Sequence, residues 1–435
     1  MNVLFLASTP YSHIIPLHPL ITELISKGNK VYCMSDKKNE ELIKSFGAIF
    51  VEYPFDFERD LWGIDYKEVM DDVNQLWEEN KYEEGYLKYA LSDIKGMYNT
   101  TEEDIENVKK IVIEKEISII FRDAVEKIGF IISRQLNIPC IGYITHNLYS
   151  KKYFKHNSIE KTVVFLGARR HKSKLSNDFL KNYYDNFEKI NKQIANDICH
   201  EELYPLHQFD PRNDFTIVFS TKFLQPQISY ESSREYLLVY PMVNRFRLNE
   251  EVDKDLYQFF DSAGQYVYIA SGTITVHPID YYIKFINLLI KMNYKIIIAC
   301  GGYKDYLNEY IKNNNIETQV YIADFVPQKF VLSKSSLFIT SGGQNSIIES
   351  IYFKVPLLVT PITSEQRLNG LQIDDMGIGD TTYKYFPKKE TIGKTIHRLI
   401  NSDEVKKNLD KCNSDLLEHI NDFSKLWEYL NKINA

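Results

Sequence analysis

The 435-residue sequence is poor in cysteine, in excess positive charge and in long apolar runs, and each shortage removes a class of protein. Its five cysteines, Cys33, Cys140, Cys199, Cys300 and Cys412, are odd in number, far apart and never in a C-x-x-C pair. That usage fits reduced thiols in a cytoplasmic protein better than a disulfide framework. Lysine and arginine total 52 against 59 aspartates and glutamates, a formal charge of -7 with a pI near 5.9, so no general basic surface offers itself to nucleic acid or anionic membrane. No apolar run approaches the ~20 residues of a spanning helix. The start, MNVLFLASTPYSH, reaches proline after a few apolar residues and lacks the basic region and apolar stretch of a signal peptide. Neither export nor an integral membrane segment is expected. Absent too are the P-loop G-x-x-x-x-G-K-[ST] and the G-x-G-x-x-G fingerprint, which demotes ATP and dinucleotides as ligands.

What is present is a folded globular composition, 44% hydrophobic and 26% charged, in a chain too long for one core; two domains of roughly 200 residues are expected. VLFLAS (3–8), KVYCMS (30–35) and AIFVEY (48–53) read as short buried strands separated by helical patterns, and ISIIFRD (117–123) and PCIGYIT (139–145) continue the series. A second series runs through YVYIAS (266–271), YKIIIAC (294–300), QVYIADF (319–325), SLFITS (336–341) and PLLVTP (356–361). Alternating strands and helices predict an α/β protein of two doubly wound, Rossmann-like domains facing across a cleft. The expected division is 1–240, a first domain; 241–265, a linker with a short helix; 266–405, a second domain; and 406–435, C-terminal helices packing back toward the first domain. Residues 66–107 read as an exposed helical insertion or as a wall of the first-domain pocket. Residues 151–200 also read as helical.

TSGGQNSIIES (340–350) carries a strand into a helix through two glycines. Such a corner points backbone N–H groups and the positive end of a helix dipole at one place, which suits phosphate, although a plain turn has the same appearance. Taken in order with FVPQ (325–328), VP (355–356) and PITSEQRLN (361–369), it resembles the donor signature of nucleotide-sugar glycosyltransferases of the GT-B fold, closest to bacterial macrolide and natural-product glycosyltransferases, kin of the UDP-glycosyltransferases. SHIIPLHPLITEL, FTIVFSTKFLQP (215–226) and YIASGT (268–273) extend the resemblance over nearly the whole chain.

The resemblance implies that Phe325 stacks on the nucleobase and that Val326 and Gln328 hold base and ribose. It assigns Glu349 to the ribose hydroxyls, Gly342, Gly343, Asn345 and Ser346 to the diphosphate, and Thr273 to the other side of the phosphates. Glu365 and Gln366 would hold the donor sugar. Read alone, Glu349 is equally a solvated helix carboxylate and Phe325 a core residue. Ser341 departs from the pattern, because the family most often has histidine there. A serine hydroxyl is shorter and carries no charge, so a charge-assisted bond of ~1.5–3 kcal/mol is lost unless a nearby cation or hydroxyl compensates.

His13 follows the first strand and Asp123 ends a later one. An imidazole backed by a carboxylate can take a proton from a hydroxyl at neutral pH; a histidine in that place is otherwise structural. The resemblance implies that His13 is the base and Asp123 its partner. His146, also at a strand end, is the competing candidate and is expected to line the acceptor pocket, and His18 to be packing or surface. No His/Cys cluster suggests a metal, and neither metal nor cofactor is expected. The expectation is an inverting, metal-independent transferase moving a hexose from a nucleotide sugar, expected to be a UDP-sugar, to a small apolar acceptor, in a monomer or homodimer. A GT-B nucleotide-sugar epimerase and a non-catalytic nucleotide-sugar-binding protein are the rivals.

Overall fold

A computed structural model describes residues 1–57, 66–96, 101–156, 159–199, 209–211, 213–242, 252–261, 263–271, 277–383 and 391–433. The chain forms two compact units: unit 1 comprises Met1–Val163, Arg170–Met242 and Ile420–Ala435, and unit 2 comprises Val164–Arg169 and Val243–His419.

Unit 1 holds β1 (Asn2–Leu6), β2 (Lys30–Ser35), β3 (Ile49–Glu52), β4 (Ile119–Asp123), β5 (Cys140–Ile144), β6 (Phe215–Phe219) and β7 (Glu235–Val239). All pairings are parallel, in the order β3-β2-β1-β4-β5-β6-β7. The central strands are apolar runs, as a sheet covered on both faces requires, and Phe5 stacks on Phe121 across the β1/β4 pair at 4.8 Å. Helix Glu102–Glu114 leads into β4 from a reciprocal capping box between Thr101 and Asp104. Helix Ser424–Ile433 adds Leu426 and Leu430 to the core of this unit, and Trp427 Nε1 donates to Glu23 Oε1 at 2.8 Å. The sequence division at 406 falls inside helix Asp403–Glu418, which lies wholly within unit 2.

Unit 2 holds β8 (Tyr266–Ala270), β9 (Lys295–Ala299), β10 (Val320–Ala323), β11 (Leu337–Thr340), β12 (Leu357–Val359) and β13 (Gly379–Thr381), parallel in the order β10-β9-β8-β11-β12-β13. Tyr268 stacks on Phe338 at its centre, 4.7 Å apart. Strands β6, β7 and β13 were not among the strands expected from the sequence. β13 is Gly-Asp-Thr, with no apolar signal, and a Cβ on Gly379 would sit 2.4 Å from the Leu357 carbonyl oxygen of the neighbouring strand. Glycine there serves close strand approach rather than a turn.

Both sheets reverse their strand order at the same step. β1 neighbours β4 and β8 neighbours β11, so the connections leave in opposite directions and open a crevice at the carboxyl ends of those strands.

Candidate active site

In unit 1 the switch point is occupied by side chains. Pro10 ends the loop after β1 and starts the one-turn helix Tyr11–Ile14, which carries His13. Asp123 is the last residue of β4 and is 1% exposed. His13 Nδ1 lies 2.8 Å from Asp123 Oδ2, although 110 residues separate them. A carboxylate can only accept, so Nδ1 carries the proton and Nε2 the lone pair, the tautomer a proton acceptor needs. Asp123 Oδ1 accepts from the Val125 N–H at 3.2 Å, and Thr145 Oγ1, just beyond β5, lies 3.1 Å from His13 Nδ1.

The neighbours of Asp123 hold it in place. Arg122, fully buried, donates from Nη1 to the backbone oxygens of Asp123 (3.2 Å) and Glu126 (2.9 Å), and from Nη2 to Asn213 Oδ1 at 3.0 Å. The buried Glu126 carboxylate caps helix Ile128–Leu136 by accepting from the Gly129 N–H at 2.9 Å. Burial pushes its pKa up to about 7, against the lowering effect of that N–H and of Arg122. His146 follows Thr145; its Nδ1–H donates to the Asn147 carbonyl at 3.0 Å, and its ring meets Phe209 edge-on. His18 stacks on Phe46 at 4.5 Å, a packing role.

In unit 2 the corresponding place is bare backbone. β11 ends at Thr340, Ser341 and Gly342 are buried, and Gly343 caps helix Gln344–Tyr352, with Asn345 and Ser346 in the first turn. The two glycines differ. Gly342 has φ +91°, and a Cβ there would lie 2.5 Å from Val359 Cγ1, so the fold itself demands glycine. Gly343 has φ -65°, and a Cβ on it would meet nothing within 4 Å. Neither packing nor backbone strain requires glycine at 343; its absent side chain leaves room in front of the helix start.

The predicted ribose residues come together. Gln328, which opens helix Gln328–Leu332, donates from Nε2 to Glu349 Oε2 at 2.7 Å and to Ser346 Oγ at 3.4 Å, and accepts from Tyr268 OH at 3.2 Å. Phe325 is 78% exposed, so it is not a core residue, and Val326 follows it half-buried. Glu365 and Gln366 lie in the first turn of helix Ser364–Asp375. Gln366 Oε1 accepts from the N–H groups of Ile362 and Thr363, so its amide N–H groups are what it can offer a ligand. Asn369 ties this turn to the glycine corner, donating to Gly342 O (2.9 Å) and to Glu365 Oε1 (2.8 Å). Thr273 lies outside the described residues.

Thr145, Asn369 and His277 were missed by sequence reasoning. Thr145 and Asn369 stand inside the quoted motifs PCIGYIT and PITSEQRLN, where a polar residue at a strand or helix end is the signal that could have found them. His277, whose Nε2 is 2.9 Å from the Thr360 carbonyl oxygen, has no motif around it. The D-x-D tripeptide Asp253-Lys254-Asp255 is a helix start, in which Asp253 accepts from the Asp255 and Leu256 N–H groups. Among the described residues no group of three or more His, Cys, Asp or Glu is placed to hold a metal, and no helix is long and apolar enough to cross a membrane.

Residues 266–426 match the Glycosyltransferase family 28 C-terminal domain. Over 404 residues, 92% of this chain and 90% of the relative, the sequence is 24% identical to the uncharacterized UDP-glucosyltransferase YojK of Bacillus subtilis (strain 168). It is 23% identical to the NDP-glycosyltransferase YjiC of the same organism, across 90% of this chain and 86% of that one. The crystal structure of the glycotransferase of kitacinnamycin superposes with a TM-score of 0.70 at 16% identity, covering 100% of this chain and 99% of that one. The chain has the GT-B fold and is a glycosyltransferase, similar to UDP-glycosyltransferases as its ordered motifs implied.

Proposed function

We propose that this glycosyltransferase transfers a hexose from a UDP-sugar to a hydroxyl of a small, apolar, natural-product-like acceptor, with inversion at the anomeric carbon. His13 Nε2 takes the proton of the acceptor hydroxyl as its oxygen attacks; Asp123 orients the ring and stabilises the imidazolium that forms. The bond from the anomeric carbon to the phosphate oxygen breaks, and UDP leaves with the electron pair. In-line displacement inverts the centre in a single step. The start of helix Gln344–Tyr352 receives the developing phosphate charge, Glu349 with Gln328 holds the ribose, Phe325 stacks on the base, and Glu365 and Gln366 hold the sugar. His146 lines the acceptor side. The scheme uses neither a metal nor a cofactor, and the half-buried and buried thiols Cys33, Cys140, Cys300 and Cys412 suit a reducing cytoplasm.

The observation that carries this reading is the 2.8 Å contact of His13 with a buried carboxylate at a switch point, in a chain whose other switch point is glycine. Likeness to the glycotransferase of kitacinnamycin supports the acceptor class. The test is a thermal-shift screen of nucleotide sugars followed by mass-spectrometric profiling of hydroxylated acceptors, with the anomeric configuration of the product read by NMR. Stabilisation by UDP-hexoses and a product of opposite anomeric configuration are expected. Donor turnover without any acceptor, or retained configuration, sinks the scheme.

A further inference from the structure

One histidine joins the carboxyl ends of three strands of unit 2, two through its ring and one through its backbone N–H. His277 stands two residues ahead of helix Ile279–Lys291, and its ring lies on that of Tyr281, centroids 3.8 Å apart and 13° from parallel. Its Nε2 faces the strand ends: 2.9 Å from the Thr360 carbonyl oxygen and 3.2 Å from Thr360 Oγ1 beyond β12, and 3.5 Å from Ser341 Oγ beyond β11. Its backbone N–H donates to Ser271 Oγ at 3.3 Å, just beyond β8, and that hydroxyl lies 2.6 Å from Tyr282 OH. The Tyr281 stack and the contacts at Nε2 hold the ring beside Ser341, the residue before the glycine corner.

Ser341 is where the resemblance leads one to expect a histidine, and His277 brings an imidazole to within 3.5 Å of the Ser341 hydroxyl from 64 residues away. Among the described residues, the side chains that meet the ring are Tyr281 on its own helix, Ser341 from the β11 end and Thr360 from the β12 end; none is acidic. With no anion present, burial favours the neutral ring. A diphosphate at the corner would reverse that preference, because an opposite charge a few ångströms away stabilises the imidazolium.

We propose that His277 supplies the positive charge that holds the donor's diphosphate, standing in for a charged side chain at residue 341. The proposal rests on the reading of the glycine corner as the diphosphate site. It has a steric corollary. The Ser341 hydroxyl already lies 3.5 Å from His277 Nε2, so a longer side chain at 341 that follows the same direction competes with the His277 ring for one place.

Calorimetric titration with UDP and with uridine tests this, because uridine uses the same base and ribose contacts but has no phosphate. His277→Ala should weaken UDP binding about 10–100-fold, the span of one charge-assisted hydrogen bond, with uridine binding unchanged. His277→Gln keeps a neutral N–H for the Thr360 carbonyl but cannot become charged, and should weaken UDP binding by a similar factor with an unchanged melting temperature. Adding Ser341→His to His277→Ala should restore most of the loss, whereas Ser341→His alone should bind UDP no better than wild type. Glu349→Ala, acting on the ribose, should weaken both ligands. UDP and uridine falling together in His277→Ala, or full UDP affinity in His277→Gln, overturns the proposal while Glu349→Ala still supports the donor site. Failure of the wild-type protein to bind UDP overturns the donor-site reading and this proposal with it.

Discussion

In unit 1 the loop after the first strand brings a histidine to the carboxylate that ends the fourth; in unit 2 the loop after the fourth strand brings two glycines, and a histidine that follows the first strand of that unit meets Ser341 just before them. The strand order is the same but for the seventh strand of unit 1, and the order reverses at the same step. What differs is whether side chains fill the switch point or withdraw from it. Moving a proton requires a ring held in one tautomer, so unit 1 surrounds His13 with Asp123 and Thr145 and braces Asp123 through Arg122. Holding an anion requires N–H groups and room, so unit 2 leaves Gly343 open and keeps its polar side chains, Gln328, Glu349 and Glu365, around the rim. The same kind of crevice thus serves two chemistries through local residue choice.

The largest test of that contrast is His13→Ala. Transfer at saturating substrates should fall by ~10²–10⁴, the usual worth of general-base assistance, while UDP affinity stays at the wild-type value. Equal losses in rate and UDP binding would deny that the two units divide the work.

The glycines give a paired test within unit 2. Gly342→Ala forces a side chain onto a positive φ and into Val359, and should cost about 1–3 kcal/mol of stability by denaturant unfolding. Gly343→Val enters open space and should leave stability near wild type while raising the KM for the donor at least ~10-fold, or 1.4 kcal/mol. A Gly343→Val protein with an unchanged donor KM would mean that nothing binds in front of the helix start.

The smallest effect is one of pH, and its sign should differ between the units. Glu126 binds its proton more tightly folded than unfolded, so its contribution to stability is complete below pH 4.5 and is lost as pH rises to about 7. His277 binds its proton less tightly when folded, so its contribution is present above pH 6.5 and is lost as pH falls below that value. Melting temperatures across these ranges should show Glu126→Gln gaining on wild type toward high pH and His277→Gln gaining toward low pH. Parallel pH profiles for wild type and both variants would remove the contrast.

Much of this arrangement is legible in the order of residues along the chain. The strands up to β5 and from β8 to β12 are apolar runs punctuated by helical spacing, and the roles expected for Gln328, Ser346 and Glu349 put them on neighbouring segments that do come together. β13 is not legible, because Gly-Asp-Thr pairs through its backbone and carries no side-chain pattern. Phe325 alone could be read as core or as a stacking platform; its 78% exposure removes the first. His277 has no local signal, since its meaning comes from Ser341 and Thr360, which approach it from other strands.

The sequence by itself determined strands β1 to β5 and β8 to β12 and the glycine corner, because those depend on periodicity and on the few residues that tolerate a tight turn. It also determined which chemistry was in stock: an imidazole after β1, a carboxylate ending β4, glycines after β11. Only the tertiary structure decided that His13 meets Asp123, that Gly342 serves packing whereas Gly343 leaves space, and that His277 stands behind Ser341. The physical reason is that parallel strands exchange their hydrogen bonds with neighbours chosen by the winding of the sheet, so the partners of a side chain at a strand end are set by strand order rather than by distance along the chain.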